Sequence, residues 1–220
     1  SNPPDDGDIL AVHFPHWVSP VALDAVVHPG IAARDVKELL ALAKAKPGQL
    51  AFGSSGTGGA PHMAVELFKL LAQVNVVHVP YKGSGQAIAD VLAGQVQVFI
   101  TTPPSVMGHV LAGKLKALAV TGKIRHPQMP QVPTIAEAGL PGFLLESWVA
   151  LYAPNGTPAA VVQKLAAEVK RSMELPETRQ RGEQAGIEVR YLSPSDTTKL
   201  LDADIASWTV AIKQANIKLD

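Results

Sequence analysis

The 220-residue chain has no cysteine. Disulfides, thiolate-ligated metals and thiol nucleophiles are therefore excluded. No apolar run approaches the ~20 residues that a membrane-spanning helix needs. No cluster of Lys and Arg occurs either, and 19 basic residues balance 19 acidic ones. The electrostatic footprint of a nucleic-acid-binding protein is thus missing. No signal-peptide pattern opens the chain. Ser1-Asn2 reads as a cloning remnant standing where a leader has been removed, so an exported protein remains compatible with the sequence.

Charged residues make up only 17% and hydrophobic residues 47%, ample for a packed core. The length fits one large domain or two small ones. Glycine and proline number 18 each and fall as punctuation between short apolar segments. Strands are expected over 8–13 and 22–28. Asp35 is placed to cap a helix over 36–46, with Val36, Leu39, Leu40 and Ala43 on one face and Pro47-Gly48 as its stop.

Beyond that helix the alternation becomes regular. Strands are predicted over 50–53, 74–79, 96–100 and 115–120. Helices are predicted over 61–72, with Met63, Leu67, Leu70 and Leu71 inward, and over 84–93 and 105–112. Strand–helix alternation with short connections predicts a parallel sheet covered by helices on both faces, an α/β fold. From 121 to 142, four prolines exclude long regular structure, with room for one helical turn over 134–138. A long buried strand is expected over 147–153, helices over 159–175 and 177–185, a strand over 188–191, and a last helical region capped by Ser193.

The segment Gly53-Ser54-Ser55-Gly56-Thr57-Gly58-Gly59-Ala60-Pro61-His62 carries the most chemistry. It joins a strand to a helix, with Pro61 in the first turn, where its missing N–H costs nothing. Its glycines let the backbone turn tightly and leave N–H groups open, and Ser54, Ser55 and Thr57 add hydroxyls. The helix start adds the positive end of its dipole, so Ser54, Ser55, Gly56, Thr57, Gly58 and Gly59 form a candidate anion cradle. A Walker-type loop would end in Gly-Lys-Ser/Thr, and this one does not. The third glycine of a dinucleotide fingerprint is replaced by Pro61, and around Ser55 the last glycine of a nucleophile elbow is Thr57. A neutral cradle for a carboxylate remains, beside the plainer reading of a flexible turn.

Three further places draw attention. Thr101 and Thr102 follow a strand and precede a helix, where ligands gather in parallel sheets, and Thr102 also suits a helix N-cap. Tyr81 could wall a pocket, and Lys82 could supply a counter-charge or simply be exposed. His62 stands at the helix start, in reach of a ligand or of the loop backbone. His13 and His16 lack an acidic partner nearby, and nothing in the sequence calls for a metal or cofactor. Trp17, Trp148 and Trp208 read as packing residues. No nucleophile elbow or base–nucleophile pairing is legible, which separates a binding protein from an α/β hydrolase on a similar scaffold, and a sensory or interaction protein using that scaffold is the other alternative.

Taken together, these residues resemble a known family. Ala41-Leu42-Ala43-Lys44-Ala45-Lys46-Pro47-Gly48, the 53–59 loop with His62, and His78-Val79-Pro80-Tyr81-Lys82-Gly83-Ser84 occur in the order found in the substrate-binding receptors of tripartite tricarboxylate transporters, the Bug-type receptors. Leu92-Ala93-Gly94-Gln95-Val96, Val132-Pro133-Thr134-Ile135-Ala136-Glu137-Ala138-Gly139, Ser147-Trp148 and Ala153-Pro154-Asn155-Gly156-Thr157-Pro158 match the same pattern. The resemblance implies a two-domain, periplasmic-binding-protein-like α/β architecture of type II with crossing hinge strands. Residues 24–146 would form one domain, and 1–23 with 147–220 would belong to the other. It implies a periplasmic, non-catalytic receptor that holds a small organic carboxylate by backbone N–H groups and hands it to membrane transporter subunits, with Ser147 near the ligand. Pro4-Asp5-Asp6-Gly7-Asp8-Ile9-Leu10 resembles a family segment from well inside the first domain. By that alignment the opening strand, its loop and the next helix are missing, the first domain is incomplete, and its exposed edge could favour a homodimer.

Overall fold

The computed structural model describes residues 12–13, 21–148, 152–154, 156–184 and 189–215. The chain divides into two compact units. One holds Val21–Ser147 together with the residues from Ile212 onward, and the other holds Trp148–Ala211 together with 12–13.

The unit built on Val21–Ser147 is an α/β sandwich around a five-stranded sheet. Its elements are β3 (Asp24–Val27), α1 (Val36–Ala45), β4 (Ala51–Ser54), α2 (Ala60–Ala72), β5 (Val77–Pro80), α3 (Ser84–Leu92), β6 (Val98–Thr101), α4 (Pro103–Leu111) and β7 (Lys116–Val120). The strand order is β5-β4-β6-β3-β7. Strands β5, β4 and β6 run parallel, and β3 runs antiparallel to both β6 and β7. The sheet is thus parallel-rich with one reversed strand. Among the described residues there are also two short pairs: β2 (Val21–Ala22) with β8 (Glu146–Ser147) in this unit, and β1 (Val12–His13) with β9 (Tyr152–Ala153) in the other.

Local chemistry explains the boundaries. Asp35 caps α1, its carboxylate accepting the Glu38 N–H at 2.8 Å. Helix α2 ends where Gln73 enters the left-handed region at φ 51°. Proline opens both α2 and α4, and α4 starts at Pro103, two residues before the expected 105, because proline at N1 is already in helical φ.

Alternate strand residues bury opposite faces. Phe52 meets Phe68 of α2 at 5.3 Å on one face. On the other, Val26 and Phe99 join Ala87 and Val91 of α3 and Val106 of α4 in one cluster. Helix α2 buries Met63, Ala64, Val65, Phe68 and Ala72. The expected inward stripe is rotated: Leu70 and Leu71 are exposed, and Leu67 is half-buried. Leu40 is likewise only half-buried, leaving Val36, Leu39 and Ala43 as the buried face of α1.

The other unit contains α5 (Ala159–Glu174), α6 (Pro176–Gln184) and α7 (Pro194–Ala215), the last reaching past Ala211. Ala153, Val162 and Met173 are its buried apolar residues among those described, whereas Val161, Leu165, Leu175 and Ile205 are exposed. The Trp148 indole donates to Asp204, and Trp208 is half-buried. Two expected strands are absent in part. Trp148 leaves β structure directly after Ser147, and 189–191 form no strand. Positions 8–11, His16, Trp17, 149–151 and 185–188 lie outside the described residues. No described helix is long and apolar enough to cross a membrane.

Candidate functional site

The reversed direction of β3 decides where the site sits. Strands β4, β5 and β6 bring their carboxyl ends, Ser54, Pro80 and Thr101, to one end of the sheet. Because β3 is antiparallel, its first residue, Asp24, comes to that same end, paired with Thr101 and Val120. Ser147 arrives there too, opposite Val21 and half-buried. Sheet topology therefore collects Ser54, Thr101 and Ser147, with the loops after β4, β5 and β6, at one end.

The loop after β4 is braced from below. The Ser54 side chain is fully buried, and its Oγ lies 2.7 Å from His78 Nε2 and 3.0 Å from the Gly56 carbonyl oxygen. Both contacts are made at once when neutral His78 carries its proton on Nε2, donates it to Ser54 Oγ, and Ser54 donates to Gly56. Burial, then the neighbouring His62 ring, pushes His78 down to about 4, consistent with the neutral form. His62, also buried, accepts the Gly58 N–H on Nδ1 at 3.0 Å, and its Nε2 lies 3.8 Å from Glu66 Oε1. Burial also lowers its pKa. Of the two roles open to His62, the structure shows the bond to the loop backbone.

Gly58 takes φ 79°, where a side chain would be strained. Its N–H and that of Gly56 turn inward, to His62 and, at 3.5 Å, to Ser54 Oγ. Among the described residues, the N–H groups of Ser55, Thr57, Gly59 and Ala60 have no hydrogen-bond partner. Thr57, Gly58 and Gly59 are exposed. The open donors stand at the start of the 13-residue α2, whose dipole adds to them. The loop thus presents open N–H groups at a helix start without a basic side chain of its own.

The remaining sequence candidates divide. Tyr81 turns its hydroxyl away, donating to Asp90 of α3 at 2.7 Å, and its ring lies over Gly53, where a Cβ would come within 3.4 Å of it. Burial and the Asp90 bond push the Tyr81 phenol up to about 12. Its backbone N–H donates to Ser54 O at 2.9 Å, and Gly83 N–H donates to Ser55 O, so the 80–83 turn is stitched to the cradle. Lys82 is exposed. Thr102 occupies the N-cap of α4, but its hydroxyl meets Ser105 Oγ at 3.2 Å rather than a backbone N–H.

Two residues escaped the sequence reading. His78 sits mid-strand in Val77–Pro80 and its role shows only once β5 is paired with β4. Asp24 is a carboxylate inside an otherwise apolar strand, a legible anomaly. It is fully buried, and neither carboxylate oxygen has a partner among the described residues. Burial pushes it up to about 7. The contact between Ser54 and His78 also supplies the base–hydroxyl pairing that was not legible in sequence. No group of three or more metal-ligating side chains exists among the described residues.

Residues 16–217 match the family described as "Tripartite tricarboxylate transporter family receptor". Protein BugT of Bordetella pertussis is 31% identical over 202 residues, 92% of this chain and 62% of that protein. Among solved structures, Rpa4515 of R. palustris with adipate superposes with TM-score 0.90 at 32% identity, covering 94% of this chain and 69% of the other. MatC from Rhodopseudomonas palustris with bound malate gives TM-score 0.84 at 27% identity, covering 91% and 69%. The chain spans about half to three-fifths of the length of the curated relatives it matches first. With nearly its whole length matched and a parallel-rich α/β fold shared with these proteins, this chain belongs to the tripartite tricarboxylate transporter receptor family.

Proposed function

We propose that this chain is the extracytoplasmic receptor of a tripartite tricarboxylate-type transporter, capturing a small di- or tricarboxylate or another organic acid in the periplasm and delivering it to membrane subunits. The unit built on Val21–Ser147 carries the cradle, and the unit built on Trp148–Ala211 is its counterpart. The carrying observation is the set of open N–H groups at Ser55, Thr57, Gly59 and Ala60 at the start of α2, held by His62 and His78. A carboxylate needs such fixed donors and gains from the helix dipole. Thr101, Thr102 and Ser147 supply further polar contacts from the same end of the sheet. The adipate and malate named with Rpa4515 and MatC support the ligand class.

A hydrolase reading draws on the contact between Ser54 and His78. Against it, Ser54 is wholly buried, its proton is directed to Gly56, and a histidine with a pKa of about 4 is a weak base near neutrality. These features favour a receptor over a Ser54 hydrolase. The exposed apolar side chains Val161, Leu165 and Ile205 support self-association, which light scattering over a concentration series tests. For the function itself, thermal-shift screening against a carboxylate panel is expected to raise the melting temperature with dicarboxylates, with no turnover of ester or phosphate substrates. A flat panel together with ester turnover would reverse the assignment.

A further inference from the structure

Helix α2 carries His62, Glu66 and Lys69 along one stripe that begins at the glycine loop. Both nitrogens of His62 are engaged. Nδ1 accepts the Gly58 N–H at 3.0 Å, and Nε2 lies 3.8 Å from Glu66 Oε1. A face of the ring stacks on His78 of β5, with centroids 3.9 Å apart. The Lys69 ammonium donates to both Glu66 oxygens, at 2.8 and 2.9 Å, and the Glu66 side chain is only 13% exposed.

A neutral imidazole carries one N–H, and its place decides the shape of the loop. With the proton on Nδ1, two N–H groups would face each other across the Gly58 contact, and the Nε2 lone pair would meet a carboxylate. With the proton on Nε2, Gly58 meets a lone pair and the carboxylate meets an N–H. The distance to Glu66 is longer than a hydrogen bond, so Glu66 acts by its charge, which a half-buried site screens less than water does. A second proton would have to enter at Nδ1 and would break the Gly58 bond. An unpaired Glu66 would draw that proton in, and the Lys69 ammonium opposes it. Burial lowers the acidity constant of His62 most, Glu66 raises it, and Lys69 lowers it, which agrees with this division of labour. His78 is the titratable neighbour from the sheet, and its Nε2 is turned to Ser54.

We propose that Glu66 is a positioning residue for the cradle, acting through His62. It selects the Nε2–H tautomer, and that tautomer holds the Gly58 N–H inward, in the loop conformation that leaves the N–H groups of Ser55, Thr57, Gly59 and Ala60 open. Lys69 limits His62 to one proton. This rests on the receptor reading above and adds to it the device that fixes the shape of the same loop.

The test uses two readouts. Nitrogen-15 resonances of the His62 ring report its tautomer without any ligand. Near neutrality, wild type is expected to show the Nε2–H form, and Glu66→Gln a mixture of both neutral forms, because an amide offers either a donor or an acceptor. Calorimetric titration with adipate is expected to find Glu66→Gln about tenfold weaker than wild type. Charge alone predicts the opposite sign, since removing a carboxylate near an anion site strengthens binding. In a His62→Asn background the same change should bring no weakening, because no tautomer is left to select. An unchanged tautomer in Glu66→Gln, equal or tighter adipate binding by it, or the same weakening in both backgrounds overturns the proposal and leaves the receptor reading standing. No binding of adipate by any form overturns the receptor reading, and the tautomer then decides the role of Glu66 in the loop. If Glu66→Gln does not fold, Lys69→Met decides: the titration midpoint of the His62 ring must rise, and adipate affinity must fall on mild acidification before that of wild type. An unmoved midpoint overturns the proposal.

Discussion

The imidazole rings of His62 and His78 lie stacked, centroids 3.9 Å apart and planes 5° from parallel. One ring belongs to the first turn of α2 and the other to β5, and between them they hold Gly58 and Ser54, near the two ends of the cradle. Two cations at this distance repel, so at least one ring of the brace is neutral. His78, with its folded pKa near 4 against an unfolded 6.5, binds fewer protons when folded. Stability from this group is present above about pH 6.5 and is lost as pH falls toward 4. Urea unfolding of wild type and His78→Gln should show the wild type alone losing this increment on acidification. Parallel behaviour of the two would remove the histidine brace as its cause.

Asp24 has the opposite sign. Its folded pKa of about 7 exceeds the unfolded 3.8, so it binds more protons when folded. Its contribution is fully present below about pH 4 and is lost as pH rises toward 7. Asp24→Asn should therefore gain stability relative to wild type at neutral pH and not at about pH 4. Denaturant midpoints at the two pH values check this, and a variant less stable at both would contradict it.

Much of this arrangement was legible in the sequence, and the exceptions have physical causes. Periodicity locates β3 but carries no direction, and its antiparallel insertion between β6 and β7 is set by the pairings alone. That one orientation brings Asp24 to the end of the sheet where Ser54 and Thr101 lie. The stripe Met63, Leu67, Leu70, Leu71 suits an apolar helix face, but α2 is apolar on more than one side. The sheet took the side bearing Phe68 and left Leu70 and Leu71 outward. The glycine loop was read from composition, whereas the inward turn of the Gly58 N–H depends on His62 being buried beneath it.

Tyr81 separates structural from ligand roles. Its hydroxyl is spent on Asp90. Tyr81→Phe should lower stability by about 1–2 kcal/mol while changing carboxylate affinity less than about threefold. A large affinity loss at unchanged stability would place the hydroxyl on the ligand instead.

Charge supplies a further check. Ser54 to His62 contain no arginine or lysine, so the proposed site would hold a carboxylate by dipoles. Such contacts are screened less than exposed ion pairs. Affinity measured at low and at moderate ionic strength should agree within about twofold. A steep dependence on salt would reveal a basic side chain at the site.

Gly58 is where fold and binding meet. At φ 79° a β-branched residue is strained by roughly 1–3 kcal/mol, which displaces the open N–H groups of Thr57 and Gly59. The decisive measurement is calorimetric titration of wild type and Gly58→Val with adipate and malate near pH 6, alongside their melting curves. The expected result is saturable binding by wild type and at least about a hundredfold weaker binding by a variant that still melts cooperatively. Equal binding by both proteins would contradict the placement of the carboxylate in the 55–60 cradle.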